Sequence, residues 1–284
     1  MATIEELSAR DEPAKIVEIL DRDGAVMVHG FINDNTVEAI NAEIDADMQA
    51  ADPTIEHINP MITAFFGDRT KHLSSVAAIS RTFATEVLVH PIYRAACDVM
   101  LLPNCANYHL NLAHVINRGP GSDAQMFHRD EDVWIHMPHP RPEMQVASML
   151  ALVDFTEDRS ATMIVPGSHR WADRARQPTP DEIAHAVMPA GSAVLYLGST
   201  IHAGGANTTA DVWRRGGHVS FCWGWLRTEE NNYLGTPPEI ARTLPREVQE
   251  ILGYGVHDAI ADAGGYLGVV RQEDPIDLLA DGRL

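Results

Sequence analysis

The hexapeptide Gln125-Met126-Phe127-His128-Arg129-Asp130 sets an imidazole and a carboxylate two residues apart. In an extended strand, residues i and i+2 face the same side, so His128 and Asp130 present both groups to one point. A second histidine, His202, opens the glycine-rich run His202-Ala203-Gly204-Gly205-Ala206-Asn207 far downstream. Two histidines and one carboxylate on one face of a metal, with the other positions open, form the ligand set of oxygen-activating iron(II). Two open positions suit the carboxylate and keto oxygens of a 2-oxo acid, and a third suits O2. The chain has 14 histidines, so a His-x-Asp with a distant His also arises by chance, and a surface His and Asp on a turn is the plainer alternative.

The surroundings favour the metal. Arg214-Arg215 follow His202 and lead into the β-prone run His218 to Trp225. A guanidinium clamps a carboxylate at two points, which suits the distal carboxylate of 2-oxoglutarate. Adjacent strand residues face opposite ways, so only one of the pair can enter a barrel. With Arg214 inward, Gly216, His218, Ser220 and Cys222 share its face and leave room for a cofactor. Val219, Phe221 and Trp223 then share the face of Arg215 and pack under covering helices.

The elements that must position these groups fall into three stretches. Pro13 to Asp23 reads as an amphipathic helix with Ile16, Val17, Ile19 and Leu20 on one face, ended by Gly24 and followed by the short strand Ala25 to Val28. Asp34 or Asn35 caps a second helix running to about Ala50, with Val37, Ile40 and Ile44 on one side. Phe83 to Leu101 reads as two short helices, with Pro91 in the first turn of the second. From Tyr108 to Arg227 short β-prone runs recur between turn residues: Leu112 to Asn117, Gln145 to Asp154, Thr162 to Val165, Ala193 to Leu197 and His218 to Trp225. Many short strands with turn signals predict a sandwich or barrel. Two short helices begin near Pro238 and Pro245, and Gly253 follows the second. The chain thus reads as a single domain, residues 1–284: a helical N-terminal cover to about 105, a β core over about 106–227, and a C-terminal appendage over about 228–284.

Composition narrows the partners. The formal net charge of −19 repels phosphate backbones and anionic lipid heads, so nucleic acid and membrane surfaces are poor partners. No long apolar run suggests a membrane span, and the acidic start Met1-Ala2-Thr3-Ile4-Glu5-Glu6 does not resemble a signal peptide. Cys97, Cys105 and Cys222 are odd in number and scattered, which argues against a disulfide framework and for a reducing, cytoplasmic setting. Met126 and Phe127 read as core, His136 and His139 as an exposed loop, and His169 as a turn residue with a structural hydrogen bond.

Several ordered blocks carry a family resemblance. They are His128-Arg129-Asp130, Ala161-Thr162-Met163-Ile164-Val165-Pro166-Gly167-Ser168-His169-Arg170-Trp171, and His202-Ala203-Gly204-Gly205-Ala206-Asn207 followed by Arg214-Arg215. Together they resemble the phytanoyl-CoA dioxygenase (PhyH) family of Fe(II)/2-oxoglutarate-dependent oxygenases. Gly224-Trp225-Leu226-Arg227, with Glu229-Glu230-Asn231 behind it, resembles the natural-product branch that includes fungal meroterpenoid oxygenases. The resemblance runs from about Gly24 to Gly268. It implies a double-stranded β-helix (jelly-roll, cupin-like) core that is mainly β with flanking helices.

It also implies Fe(II) held by His128, Asp130 and His202, and 2-oxoglutarate held by Gln125, Thr162 and Arg214, with O2 as co-substrate. Many relatives carry an arginine in the block matched here by Thr70-Lys71-His72, where either Lys71 or His72 replaces it or the role is absent. Asp130 stands where related halogenases have a small residue, so hydroxylation or desaturation is favoured over halogenation. Trp134 and His72 are candidates to line the substrate pocket. The segment Gly224 to Leu252 resembles parts that cover the active site and build a homodimer.

The expected activity is oxidation of a small-molecule, secondary-metabolite substrate with release of succinate and CO2. Two alternatives belong to other classes: a zinc-dependent hydrolase or isomerase on the same fold, and a non-catalytic 2-oxoglutarate-binding protein. Dependence of turnover on O2 separates the first from an oxygenase, and 2-oxoglutarate binding without turnover of any substrate marks the second.

Overall fold

In a computed structural model, which describes residues 2–55, 58–257 and 265–284, the chain builds ten strands among the described residues. They are β1 (Glu6–Ser8), β2 (Ala25–His29), β3 (Thr70–Leu73), β4 (Tyr108–Arg118), β5 (Gln145–Ala151), β6 (Thr162–Ile164), β7 (Ala184–Ala186), β8 (Ala193–Leu197), β9 (His202–Gly204) and β10 (Arg214–Trp223). Seven form one sheet in the order β1-β2-β8-β5-β10-β4-β3, and three form a second in the order β7-β6-β9. All pairs are antiparallel except β1 with β2. This is the jelly-roll core, with helices on the outer face of the large sheet.

Period-two alternation divides the large sheet between two cores. Val26, Val28, Val146, Leu150, Leu195 and Val219 join a large cluster with the helical residues Ile16, Leu20, Ile40, Ile44, Ile92 and Ala96. Their neighbours Met27, Ala147, Met149, Val194 and Tyr196 join a smaller cluster with Ile164, Ala184 and Ala186 of the second sheet. A sheet buried on both faces needs apolar residues at successive positions, so its central strands read as continuous apolar runs.

The predicted helix Pro13–Asp23 has the expected bounds. Gly24 ends it at φ 76°, and a Cβ there would meet the Nδ1 of His169 at 2.3 Å and the Oγ1 of Thr200 at 2.6 Å, so the position excludes a side chain twice over. The second helix covers Asp34–Ala50, but Asn33 caps it, in extended backbone with its side chain accepting the Thr36 N–H. Asp34 and Asn35 lie within the first turn instead. Phe83–Val87 is a π-helical turn, and Pro91 opens the helix Pro91–Met100. Beyond Arg227, Ala241, Leu244, Val248, Ile251 and Leu252 all bury into the large cluster. The stretch expected as an appendage therefore supplies part of the main core.

Candidate active site

His128 is not in a regular strand. It forms an isolated antiparallel bridge to His202 at the start of β9, and Asp130 opens the 3-10 turn Asp130–Trp134. The expected alternation survives because Arg129 is extended, at φ −119° and ψ 131°. Arg129 points the other way and is buried, donating to the carbonyls of Ser199, Arg174 and Ser168. His128 and Asp130 therefore share one side. Asp130 Oδ1 lies 3.4 Å from His128 Nε2 and 3.3 Å from His202 Nε2, and one ligand atom from each of the three residues falls within 4.8 Å of the others.

Backbone carbonyls aim both imidazoles. His128 Nδ1 lies 3.0 Å from the Met126 carbonyl, and His202 Nδ1 lies 3.1 Å from the Thr200 carbonyl. An acceptor carbonyl makes each Nδ1 the protonated nitrogen and leaves the Nε2 lone pair for a metal. Burial pushes the Asp130 carboxyl up, but His202, His128 and His218 outweigh it and hold the carboxyl well below the usual carboxylate range. The donor set on offer is thus two imidazole nitrogens and one carboxylate oxygen, which fits iron(II).

A cationic wall lies to one side. Arg214 is 1% exposed, packs over the Phe155 ring at 4.0 Å, and donates from Nη2 to Thr162 Oγ1 at 3.1 Å. Its Nε is buried without an acceptor among the described residues. Arg215 faces outward, as the alternation predicts, and pairs with Asn41 and Asp45 of the helix Asp34–Ala50. On the inner face, Gly216 leaves room for Arg214 and Phe155, His218 reaches Asp130 Oδ2 at 3.4 Å, and Ser220 accepts from Asn111. Cys222 departs from the expectation and packs in the large core with Val219, Phe221 and Trp223. Gln125 is tied to β9 by its backbone N–H, which donates to the Gly204 carbonyl, and by its side-chain oxygen, which accepts the Gly204 N–H at 2.8 Å.

The remaining expected residues scatter. Lys71 points away, giving its ammonium to the carbonyls of Met48 and Gln49 at the end of a helix, where its charge also meets the helix dipole. The His72 ring meets the Phe66 ring at a tilt of 59° and lies 6.4 Å, ring to ring, from His114. Trp134 donates its indole N–H to the Arg227 carbonyl. His169 makes the structural contact expected of it, to the Asp21 carbonyl at 3.1 Å, and His136 and His139 are exposed. Met126 is 68% exposed rather than core: Gln125 and His128 on either side of it bond to β9, and its own side chain turns to solvent.

Two charged residues had no individual role assigned from the sequence. Arg118, 2% exposed, ends β4 directly opposite Arg214; a cation closing an apolar run was the available signal. Glu229 is gripped by Asn111, whose amide donates to its carboxyl while its own N–H donates back to the Asn111 oxygen. This carboxyl is reachable by solvent yet hemmed in by protein, and desolvation followed by the charge of Asp130 pushes it up to about 7.

Known proteins are similar to this chain in sequence and in fold. The family described as Phytanoyl-CoA dioxygenase (PhyH) matches residues 20–216. The chain is 33% identical over 252 residues to the dioxygenase aneA of Aspergillus aculeatus, covering 87% of this chain and 84% of that protein. It is 30% identical over 245 residues to the dioxygenase trt7 of Aspergillus terreus, covering 85% and 84%. Among solved structures, the non-heme alpha ketoglutarate dependent carbocyclase SnoK from nogalamycin biosynthesis shares the fold, with a TM-score of 0.60 at 18% identity over 82% of this chain and 93% of that one. No helix among the described residues is long and apolar enough to cross a membrane. On the strength of the family match, the identity to these dioxygenases and the His-Asp-His cluster at the expected positions, the chain belongs to the phytanoyl-CoA dioxygenase family of iron(II)- and 2-oxoglutarate-dependent oxygenases.

Proposed function

We propose that this dioxygenase hydroxylates or desaturates a small secondary metabolite, with His128, Asp130 and His202 as the iron ligands and Gln125, Thr162 and Arg214 as the 2-oxoglutarate site. The observation that carries the reading is the pairing of the aimed Nε2 atoms with a buried, acid-free arginine on the same interior face. When bound, iron(II) and 2-oxoglutarate supply the O2-dependent power to oxidise a C–H bond, with succinate and CO2 as by-products.

The protein's own part is position. Arg214 and Thr162 offer donors to a distal carboxylate, and the Gly204–Gln125 tie holds the adjacent wall. His218 stands four residues along β10 from Arg214, roughly 13 Å at strand spacing. Beyond it lie Ser220 and Asn111, which are buried and bonded to each other, and Glu229, whose exposed carboxyl Asn111 holds where it can orient a substrate away from the cofactor. Trp134 and His72 are proposed to line this side. Apolar groups supply the rest of the rim. The Phe65 ring meets His128 edge-on at 4.8 Å, and Met61 and Ile62 of the same helix are exposed, as is Met126. An exposed apolar rim around polar anchors favours a hydrophobic small molecule bearing a few hydrogen-bonding groups.

A cytoplasmic homodimer is part of the proposal. It rests on the free cysteines Cys97, Cys105 and Cys222 and on the family likeness of the segment from Gly224 to Leu252. Light scattering at micromolar concentration tests the dimer, and a lone 31.2 kDa species refutes it. The activity is tested by incubating the protein with iron(II), 2-oxoglutarate, O2 and a panel of polycyclic metabolites. Succinate release with gain of oxygen or loss of hydrogen by mass spectrometry is expected. Turnover that persists without O2, or with zinc alone, overturns the reading in favour of a hydrolase or isomerase.

A further inference from the structure

The pairing of β10 with β4 sets Arg118 directly across from Arg214, and the pairing of β3 with β4 sets Thr70 on its other side. Both guanidinium groups are almost fully buried, and neither takes part in an ion pair among the described residues. Arg118 is held at two of its nitrogens: Nε donates to Ser160 Oγ at 3.2 Å, and Nη2 donates to the Asp123 carbonyl. Among the described residues its Nη1 is buried with no acceptor, as is Nε of Arg214.

The guanidinium also reaches the wall of the proposed cofactor site. A Cβ built on Gly204 would lie 3.6 Å from Arg118 Cζ and 2.7 Å from Gln125 Oε1. Gly204 stands two residues after His202 on β9, so it faces the same side as that ligand.

Two adjacent interior cations are costly in any protein. Burial pushes Arg118 down to about 10, and burial together with the charge of Arg118 pushes Arg214 down to about 9. A chain with a net charge of −19 has acids in excess, yet among the described residues none forms an ion pair with either arginine; Asp123, the acid acting on Arg118, bonds it through its backbone carbonyl and only partly offsets its burial. The missing partner is therefore an anion that comes from outside the chain and fits between two inward-facing donors.

We infer that Arg118 is a second cofactor-binding residue, whose free Nη1–H joins Arg214 in holding the distal carboxylate of 2-oxoglutarate. This rests on the proposed function and adds a residue to it. Thr70, Lys71 and His72 of β3 then need supply no cation here, because Arg118 does so from the neighbouring strand.

The test uses the full chain loaded with Mn(II) under argon, so that no turnover occurs. Calorimetric titration compares 2-oxoglutarate with 2-oxovalerate, which keeps the 2-oxo acid end and lacks the distal carboxylate. In Arg118→Met, affinity for 2-oxoglutarate is expected to fall by about 10- to 100-fold, the worth of one hydrogen bond to a charged group. Affinity for 2-oxovalerate and for Mn(II) should stay within about 2-fold. Equal loss for both keto acids would mean that Arg118 only braces Ser160 and Asp123, and unchanged 2-oxoglutarate affinity in a folded variant would also overturn the inference. Should Arg118→Met fail to fold, Arg118→Lys is measured in its place. Lysine keeps the charge but not the forked donor, so a selective loss of 2-oxoglutarate, smaller than for Met, is expected, and equal loss or no loss counts against the inference. If wild-type protein with metal does not bind 2-oxoglutarate at all, the proposed function fails first, which separates the two results.

Discussion

His128 and His202 exchange both backbone hydrogen bonds, N–H to carbonyl at 3.0 Å in each direction, although they lie in different segments of the chain. The bridge brings their rings to 4.3 Å between centroids before any metal is considered. The spacing of the two candidate histidine ligands is thus set by main-chain pairing, and their side chains need only be aimed.

Removing any ligand should therefore destroy metal binding without unmaking the site's backbone. Anaerobic protein with iron(II) and 2-oxoglutarate is expected to show a weak visible charge-transfer band. His128→Ala, Asp130→Ala and His202→Ala should each abolish it, while the metal-free melting temperature of the two histidine variants changes little. Persistence of the band in all three variants would remove these residues from the metal site.

The two neighbouring arginines should behave oppositely. Arg214 is buried without an acid, whereas Arg215 pairs with Asp45 at the surface of a helix. Arg214→Ala should weaken 2-oxoglutarate by about 2–4 kcal/mol, from one or two hydrogen bonds to a charged group, and leave iron affinity nearly intact. Arg215→Ala should cost about 1 kcal/mol of stability at most, the usual worth of a surface pair, and leave the cofactor requirement unchanged. Titration of 2-oxoglutarate into each variant decides the matter, and a larger loss in Arg215→Ala would contradict the strand register.

Glu143 predicts a pH dependence of stability. Its carboxyl accepts from the Met144 and Gln145 N–H groups and from the Ser199 hydroxyl, yet burial, and then the nearby charge of Glu131, push it up to about 7. A carboxyl raised on folding contributes stability that is complete below its unfolded value, near 4.5, and is lost as pH rises through about 7. The wild type should lose on the order of 1–3 kcal/mol relative to Glu143→Gln between pH 5.5 and 8.5. Denaturant melts of both proteins across that range check this, and parallel curves would show that Glu143 carries no such penalty.

The sequence alone determined the candidate ligands and the main elements of the fold around them. A His-x-Asp and a distant His, set among ordered blocks of one family, named the triad, and period-two and helical patterning named the central strands and the helix Pro13–Asp23. Alternation also decided between Arg214 and Arg215, because the face of a strand residue follows from its parity. Tertiary structure alone decided what lies beside them. Arg118 faces Arg214 only because β4 pairs with β10 in that register, and Lys71 turns to a helix end because β3 lies at the sheet edge. Cys222 joins the main core, and Met126 stands exposed on a loop that patterning read as core. Local pattern reports on a residue's own backbone and its alternation, whereas these contacts join segments far apart in the chain, and their pairing is set by the packing of the whole fold.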